Sequence, residues 1–383
     1  MRLADFVARY PGGGLGAPSD NARILDFFDN APMATSSFAV RYRRAPNFFA
    51  LLEHQAERAH VFLSVGDDGA VRTVGSVSLR PGWIDGRATT VGYLGDLRVG
   101  FDRRVIAQWR RFYAELLAHA HEIDELADCT HWYTAILDDN RAARLALGRE
   151  RADAPAYVPL ARFRMRNLVA RLPLAGTSSR SRRVRRAMPS DAPRIAAFFD
   201  AANSGLAFGF RDELARRLST WRGLAIDDFI FVEEGEEIVA CVAPWSAAAV
   251  KETVVSRVPP ALRAAGGVMR AMPRAPLRVP RAGEALRMLY LTHLAFAAHT
   301  TADARRRDVA AMLGVVFDQW RDAPWHCAAL CDFDAWRLGD ALRGYVQQTV
   351  PITVYAVVPP KMPRAAARAM GAGRPPAFEM AMV

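Results

Sequence analysis

The chain has 383 residues, of which 51% are hydrophobic and 24% are charged. This is the composition of a globular protein with about two domains, and it excludes disordered and fibrous proteins. We find no apolar run near the ~18 residues that a membrane-spanning helix needs. Asp5 and Arg9 stand where a secretory signal would be apolar. We therefore expect no membrane partner and a cytoplasmic location.

The formal net charge is +11, which is compatible with an anionic ligand or with nucleic acid. All but two of the 51 basic residues are arginines, and the two lysines are Lys251 and Lys361. Because alanine is also abundant, this skew is typical of coding bias, and the charge alone assigns no partner. The arginine-rich stretch 180–186 lacks the interleaved aromatic residues of a nucleic-acid-binding arm. We expect no nucleic-acid partner.

The chain has four cysteines, at Cys129, Cys241, Cys327 and Cys331. They are too few for a disulfide framework. The only close pair, Cys327 and Cys331, has no second pair to complete a zinc site. We interpret all four as reduced thiols in the core, and we expect no metal.

The chain contains an internal repeat. Segments 18–33 and 189–204 share nine identities in sixteen ungapped positions, and both begin with Pro-Ser-Asp. A Ser or Asp cap before apolar residues at three- and four-residue spacing predicts an amphipathic helix in each copy. Repeats of this kind indicate a duplicated structural unit.

The elements that follow also correspond. Alternating segments around a Gly-containing turn predict a β-hairpin at 61–79 and another at 229–245. Each hairpin precedes an apolar strand of equal length, at 93–99 and at 290–296. The sequence therefore places the same hairpin and strand in both copies.

Each strand is followed by a basic turn and a helix, predicted at 108–121 and at 309–320. A second strand then follows, and the separations from Asp96 to Tyr133 and from His293 to Leu330 are both 37 residues. We infer a tandem duplication of one hairpin–strand–helix–strand–helix unit. The predicted domains are 1–171 and 185–360, joined by a basic linker at 172–184, and 361–383 is predicted to be a flexible tail.

These elements in this order resemble the GCN5-related N-acetyltransferases, here as two copies in one chain. The resemblance rests on the Pro-Ser-Asp-led helix, the hairpin with the strand 93–99, the basic turn into a helix, and the segment 136–145, ILDDNRAARL. It implies an α/β (α+β) protein made of two such folds. Each would be a twisted, mixed but mostly antiparallel sheet flanked by helices.

The resemblance also implies that the chain binds acetyl-CoA or another acyl-CoA as co-substrate. A strand that diverges from its neighbour leaves backbone groups free to pair with the pantetheine arm, and a helix N-terminus can bind the pyrophosphate. The residues that match the donor-binding positions of the family are Leu97, Arg98, Val99, Arg103, Arg104, Val105, Ile106, Ala107, Asn140 and Arg144.

The sequence departs from the family pattern in both copies. Ala107 and Trp109 stand at the two glycine positions of the phosphate-binding turn, and Asp308 stands at the first of them in the second copy. The second copy has Asp334 where the first has Asn140. Because Asn140 and Arg144 are present only in the first copy, we expect the donor to bind there.

Acyl transfer to an amine needs a proton acceptor for the amine and a proton donor for the leaving thiolate. Asp96 lies within an apolar strand and is the first candidate base, with a structural pair to an arginine as the alternative. His293, at the same place in the second copy, and His131 are further candidates, although strand histidines are usually core residues. Tyr133 is the candidate acid, with packing as its alternative.

The sequence thus predicts an acyltransferase that uses acyl-CoA, with acetyl as the expected group and a small-molecule or peptide amine as acceptor, in a monomer or a homodimer. Two alternatives stay open. One is a catalytically degenerate protein of this fold that binds a ligand or a partner. The other is an acyltransferase whose donor carries a long chain or is an acyl carrier protein, which the basic charge would favour.

Overall fold

A computed structural model describes most of the chain. The described residues are 1–30, 39–100, 102–148, 151, 153–172, 183–258, 260, 263–264, 278–320, 325–363 and 375–383. The helices are α1 (Leu3–Val7), α2 (Asn21–Asn30), α3 (Ala50–Gln55), α4 (Arg103–Ala118), α5 (Arg141–Leu147), α6 (Ala192–Ser204), α7 (Glu213–Thr220) and α8 (Ala302–Trp320). None of the helices in these ranges is both long enough and apolar enough to cross a membrane.

The strands of the first half are β1 (Gly13–Leu15), β2 (Ala39–Arg43), β3 (Arg58–Val65), β4 (Val71–Ile84), β5 (Arg87–Val99), β6 (Cys129–Leu137) and β7 (Ala156–Arg171). Those of the second half are β8 (Arg183–Arg186), β9 (Gly209–Phe210), β10 (Ile230–Glu234), β11 (Glu237–Trp245), β12 (Glu252–Arg257), β13 (Met288–Phe296), β14 (Cys327–Phe333) and β15 (Tyr345–Val358).

The two halves share one sheet. In the described part of the chain it has 13 strands in the order β1-β3-β4-β5-β6-β15-β7-β14-β13-β11-β10-β8, with β9 paired to β4. The order reads the same from either edge if each strand of one half is matched with its counterpart in the other. Most neighbours are antiparallel, and the two parallel pairs are β5 with β6 and β13 with β14. This symmetry supports the predicted duplication.

The last strand of each half lies in the other half of the sheet. β15 pairs with β6 of the first half, and β7 pairs with β14 of the second. The two exchanged strands also pair with each other along Ala156–Arg171 and Tyr345–Val358. The sequence interpretation contained neither strand, because its repeat unit ended at the helix after the second strand.

A two-stranded ribbon also joins the halves. β12 of the second half pairs with β2 of the first, with Glu252 opposite Arg43. This places the residue before Glu252, Lys251, beside the residue after Arg43, Arg44. The ribbon therefore brings side chains from both halves to one place.

The predicted local elements are present in both halves. The opening helices start with a short 3-10 turn at Pro18–Asp20 and at Pro189–Asp191. The carboxylates of Asp20 and Asp191 accept hydrogen bonds from the backbone N–H three residues earlier, at 2.9 and 2.8 Å. The predicted hairpins correspond to β3–β4 and β10–β11.

The predicted basic turns were wrong. Arg103 and Arg104 begin α4, and 305–307 lie inside the first two turns of α8. Both helices begin earlier than expected because a residue before the arginines caps them. The Asp102 carboxylate accepts from Arg104 N at 2.7 Å, and Thr301 Oγ1 accepts from Ala304 N at 3.2 Å.

The expected flexible tail does not hold for residues 375–383. Phe378 packs against Phe163, with ring centroids 5.3 Å apart. The Glu379 carboxylate accepts from His293 N at 2.8 Å. The apolar side chains of this segment fill the junction between the halves. Their burial therefore orders a segment whose composition is typical of a flexible terminus. Residues 364–374 lie outside the described residues.

The predicted linker at 172–184 is only partly described. Residues 173–182 lie outside the described residues, whereas Arg183–Arg186 forms β8 at one edge of the sheet and pairs with β10. All four cysteines are free thiols; Cys129, Cys241 and Cys327 are buried and Cys331 is partly buried.

Candidate functional site

The parallel pair at the centre of the first half separates along its length. β5 and β6 are paired from Thr90 with Cys129 to Tyr93 with Tyr133. Beyond this point Thr134 Oγ1 donates to Leu94 O at 2.7 Å, and no further register between the two strands is present in the described chain. The segments 94–99 and 134–137 thus face each other across a gap.

A β-bulge lies beside this gap. The register between β4 and β5 shifts between Val74 and Ser76, and Asp96 in the bulge has a φ of +55°. Non-glycine residues rarely adopt this left-handed conformation, although Asp tolerates it better than most. The bulge turns the chain so that Asp96 lines the cavity described next.

A cavity of about 230 Å³ occupies the gap. Neighbouring residues of a strand point to opposite faces of the sheet. On β3, Phe62 packs with the cluster under α4, whereas Val61 and Leu63 pack with the cluster under α2, so these two helices cover opposite faces. Phe62 and Trp109 line one end of the cavity, and Phe28 and Arg44 line the other. The cavity therefore passes through the sheet from one face to the other. We call it the central pocket.

The α2 side of the central pocket is polar. Arg44 donates from Nη1 to Asp96 Oδ1 at 2.8 Å and from Nη2 to Oδ2 at 3.3 Å. Ser76 Oγ donates to the same carboxylate at 2.9 Å. The side chains of Arg44 and Asp96 are only 8% and 10% exposed. Asp96 is therefore held in a desolvated, nearly bidentate ion pair, the structural alternative raised from the sequence.

Lys251 completes the polar end from the second half of the chain. It is 5% exposed, and its ammonium group donates to the backbone oxygen of Met380, at 3.0 Å, and to an oxygen of Val383, the last residue of the printed sequence, at 2.5 Å. Burial lowers the pKa of Lys251 to about 7, and the charge of Arg44 acts in the same direction. Near neutral pH this lysine is therefore partly uncharged.

The α4 side of the central pocket is aromatic. Trp109 lies 7% exposed against Gly75, where an added Cβ would lie 2.7 Å from the indole ring. The indole N–H of Trp109 is buried and has no hydrogen-bond partner among the described residues. Tyr113 and Tyr157 also line the pocket, and burial raises the pKa of both phenols.

Trp109 stands at a glycine position of the family's phosphate-binding turn, and its location shows what this departure does to the start of α4. Its ring packs into the core with Phe112, with centroids 5.0 Å apart, and does not cover the start of α4. At that start, however, the Asp102 carboxylate occupies the N-terminal position. Arg103 and Arg104 are exposed beside it, while Val105 and Ile106 are half-buried and Ala107 is exposed. Arg103 and Arg104 therefore supply positive charge at the start of α4, and the negative charge of the Asp102 carboxylate opposes it.

Asn140 and Arg144 lie at the start of α5. Asn140 lines the central pocket, and its side-chain oxygen caps α5 by accepting from Ala143 N at 3.1 Å. Its NH₂ group is the part that can meet a ligand. Arg144 does not line the central pocket; its guanidinium donates to Asp138 O at 2.6 Å on the outer surface.

The strand residues predicted to bind the donor lie on the wall of the gap. Leu97 and Arg98 line the central pocket, and Val99 ends the strand beside it. Burial lowers the pKa of the Arg98 guanidinium, which lies 5.1 Å from the centre of the Phe28 ring.

Tyr133 and His131 do not reach the central pocket. Arg80 Nη2 donates to the Tyr133 hydroxyl at 3.2 Å, and the Tyr133 ring packs against Phe208 at 4.5 Å. Tyr133 instead lines a separate cavity of about 30 Å³. His131 is half-buried and interacts with the Thr130 hydroxyl. For Tyr133 the placement favours the packing alternative.

His293 occupies the bulge of the second half and is fully buried. Because Arg217 can only donate, its Nη1 gives a hydrogen bond to His293 Nε2 at 3.1 Å. The Thr292 hydroxyl donates to Ala243 O and so accepts from His293 Nδ1–H. Burial and the Arg217 charge hold the pKa of His293 well below its usual value. The structure therefore places His293 in the core, where it does not line the central pocket.

Sequence reasoning missed Arg44, Ser76 and Lys251. Arg44 and Lys251 reach the pocket through the ribbon between the halves, which no local pattern announces. The one available signal was that Lys251 is one of only two lysines in a chain rich in arginine.

Together, the duplicated unit, the bulged strand and the gap beside it define the fold of the GCN5-related N-acetyltransferases, in two copies that exchange their last strands. The fold predicted from the sequence is confirmed by solved structures. Two structures of Saccharomyces cerevisiae N-myristoyltransferase with bound myristoyl-CoA are similar at 10% identity. One has a TM-score of 0.53 and covers 90% of this chain and 82% of the other, and the second has 0.55 with 90% and 78%.

A protein of Enterococcus faecalis described as a "Probable N-Acyltransferase" is similar at 11% identity, with a TM-score of 0.50, over 91% of this chain and 72% of that one. Since each similarity covers about nine-tenths of this chain, it includes both halves. No family model and no curated protein matches the sequence.

Proposed function

We propose that the chain transfers an acyl group from acyl-CoA to an amine in the central pocket. The observation that carries this proposal is the gap between β5 and β6, with a through-going cavity beside the bulge at Asp96. An unpaired strand edge can hydrogen-bond an extended arm, and a mainly apolar cavity with a few polar groups is the usual form of a small-molecule site.

The donor would lie along the β5 edge from Leu97 to Val99. Arg103 and Arg104 would pair with its phosphates, as arginine side chains do with charge-assisted hydrogen bonds. Asn140 would donate from its NH₂ group, because its oxygen is used by α5. The second half has Asp334 at the corresponding position, and this residue is paired with Arg164 at 2.6 Å. These contacts favour the first half as the donor site.

We further propose that the donor carries a chain longer than acetyl. Phe62, Trp109 and Tyr113 form an aromatic end that a two-carbon group would leave largely unfilled. Each buried CH₂ of a chain contributes roughly 0.8 kcal/mol. The myristoyl-CoA bound in the similar structures is consistent with this proposal. An acyl carrier protein as donor stays an alternative.

One observation favours a second candidate function. The Asp102 carboxylate stands at the N-terminus of α4, where a pyrophosphate would otherwise meet the helix dipole. A carboxylate there repels a phosphate. The second candidate is therefore a protein of this fold that binds an acylated ligand in the pocket without transferring the acyl group.

Calorimetric titration of acetyl-, octanoyl- and myristoyl-CoA into the chain tests the proposal. We expect affinity to rise with chain length, and amine-dependent release of CoA to accompany binding. Asn140→Ser keeps a capping oxygen for α5 but removes the NH₂ group, so it should weaken binding, whereas Asp334→Ser should not. Binding without any release of CoA to primary amines would support the second candidate, and no binding of any acyl-CoA would contradict both.

A further inference from the structure

Arg98 lies on β5 at the polar end of the central pocket. Neighbouring side chains of a strand point to opposite faces of the sheet. Leu97 faces the α4 side, since a Cβ added to Gly75 would contact both Leu97 and Trp109. The guanidinium of Arg98 lies 5.1 Å from the centre of the Phe28 ring, which belongs to α2. Arg98 therefore faces the α2 side, away from the start of α4 where the phosphates of the donor are proposed to bind.

The guanidinium of Arg98 has little to bind within the protein. In the described part of the chain its Nη1 donates one long hydrogen bond, of 3.4 Å, to Leu97 O, and its buried Nε has no hydrogen-bond partner. The Asp96 carboxylate attracts Arg98 but forms its ion pair with Arg44. A guanidinium is always charged and has five N–H donors. The donors of Arg98 that the protein leaves unused can bind a ligand.

The charges around the central pocket are unbalanced at the same place. The described lining has one acidic side chain, Asp96, and four basic ones: Arg43, Arg44, Arg98 and Lys251. Arg44 neutralises Asp96, and Arg43 is exposed to solvent. Lys251 donates to an oxygen of Val383. Even with that oxygen counted as a carboxylate that pairs with Lys251, Arg98 is left as a half-buried cation without a counter-charge.

We propose that the acceptor is an amino acid and that Arg98 binds its carboxylate. This inference rests on the proposed function. A guanidinium pairs with a carboxylate through two parallel hydrogen bonds. One uncompensated guanidinium balances the single negative charge of a carboxylate, whereas a phosphate monoester carries a charge of about −1.5 to −2 and would need a second cation.

Asp96 offers a complementary charge for the ammonium group of the acceptor. It lies two residues before Arg98 on β5 and also lines the central pocket. Its Oδ2 accepts from Arg44 and Ser76, whereas its Oδ1 accepts from Arg44 alone. A carboxylate has about four lone-pair sites, so Oδ1 can accept one more hydrogen bond. Asp96 and Arg98 together therefore match a zwitterion.

The central pocket also has the polarity of the product, an N-acyl amino acid. The aromatic side holds the acyl chain and the polar side holds the carboxylate, which does not react. The ammonium group loses two protons, one to solvent and one to the CoA thiolate. The nitrogen lone pair forms the C–N bond with the thioester carbon, and the C–S bond breaks with its electron pair leaving on sulfur.

The first test needs no variant. It measures the release of CoA from octanoyl-CoA with each of the common L-amino acids, with the carboxamide of the best one, and with benzylamine. We expect kcat/KM for the amino acid to exceed that for its carboxamide by about 10- to 100-fold, the usual contribution of a hydrogen bond between charged groups. A carboxamide or benzylamine that reacts as well as every amino acid overturns the proposal. If no amine releases CoA, the proposed function itself fails.

The second test compares Arg98→Met and Arg98→Lys with Arg87→Met as the matched control. Arg87 is exposed at the other end of β5 and does not line the central pocket. We expect Arg98→Met to raise KM for the amino acid about 10- to 100-fold, with unchanged KM for its carboxamide and unchanged affinity for octanoyl-CoA. Arg98→Lys keeps the charge and should lose less, and Arg87→Met should behave as the wild type.

A merely structural role of Arg98 gives a different result. Loosening of the fold would raise KM for the amino acid and for its carboxamide alike, and a role in donor binding would weaken the affinity for octanoyl-CoA. Either result overturns the proposal, while release of CoA to amines by the wild type would still support the proposed function. If Arg98→Met does not fold, the comparison of Arg98→Lys with the wild type, together with the first test, decides the question.

Discussion

Asp96 and His293 occupy equivalent bulges in the two halves, and both have a φ of +55°. In each half the register of the neighbouring strand pair shifts at the same point. Each residue also meets an arginine from outside the sheet, Arg44 for Asp96 and Arg217 for His293. The duplicated backbone has thus been kept while the chemistry diverged, since Asp96 borders a cavity and His293 is enclosed by aromatic rings.

Asp96→Asn should destabilise the fold. Asn also tolerates the left-handed conformation, so the change removes the charge without straining the bulge. The buried Arg44 guanidinium then loses its only carboxylate partner among the described residues. Breaking one side of a buried pair costs about 3–5 kcal/mol in free energy of unfolding. Urea unfolding measures this loss.

The matched control for this prediction is Asp153→Asn. Asp153 pairs with Arg151 on the surface, where their side chains are 72% and 55% exposed. Exposed pairs contribute little, so the unfolding midpoint should stay that of the wild type. Equal losses in Asp96→Asn and Asp153→Asn would contradict the buried ion pair.

Lys251 should make stability depend on pH. Its pKa is about 7 in the folded chain and near its ordinary value of 10.5 in the unfolded chain. Between these values the unfolded state binds more protons, so the free energy of unfolding rises with pH, by up to about 1.4 kcal/mol per pH unit. The comparison is the slope of unfolding free energy from pH 7.5 to 9 in the wild type and in Lys251→Met. The slope should be larger in the wild type, and parallel curves would argue against a buried neutral lysine.

Local signals predicted most of the elements, and tertiary pairing produced most of what was missed. The caps at Asp20 and Asp191, the hairpin turns and the strand around Asp96 are encoded within a few residues. The exchanged strand β7 alternates arginine with apolar residues, and Arg164 and Arg166 pair with Asp334 and Asp332 of the second half. An alternating pattern can predict such a strand, but it cannot identify the strands and side chains that pair with it.

The residues of the candidate site divide in the same way, into those that a local pattern predicts and those that only tertiary pairing brings together. Asp96 was found because an acid within an apolar strand is unusual. Arg44 and Lys251 come together only through the β2–β12 ribbon, whose pairing depends on contacts between the halves. A single sequence carries no information on that pairing beyond the rarity of lysine.

Trp109→Phe should weaken acyl-CoA binding while the fold is kept. The buried indole N–H lines the central pocket and has no partner among the described residues, so a ligand oxygen is the group that can satisfy it. A hydrogen bond of this kind is worth about 1 kcal/mol, which corresponds to roughly a fivefold loss of affinity for octanoyl-CoA by calorimetry.

Trp83→Phe serves as the control for this change. Its indole N–H donates to Asp200 at 3.1 Å outside the central pocket. Removing that bond should lower stability slightly and leave the affinity for octanoyl-CoA unchanged. If Trp83→Phe weakened binding as much as Trp109→Phe, the effect would come from general loosening of the fold.

The exchange of β7 and β15 should make the halves depend on each other for folding. Residues 1–172 alone would leave the β6 edge without β15 and β7 without β14, and unpaired strand edges buried in the native sheet favour aggregation. We expect this fragment to be insoluble or unfolded by circular dichroism when made alone. Made together with residues 173–383, it should form a soluble complex that comigrates on gel filtration, because the two segments can restore the same sheet. A fragment 1–172 that is monomeric and melts cooperatively by itself would show that the predicted first domain folds without the exchanged strand.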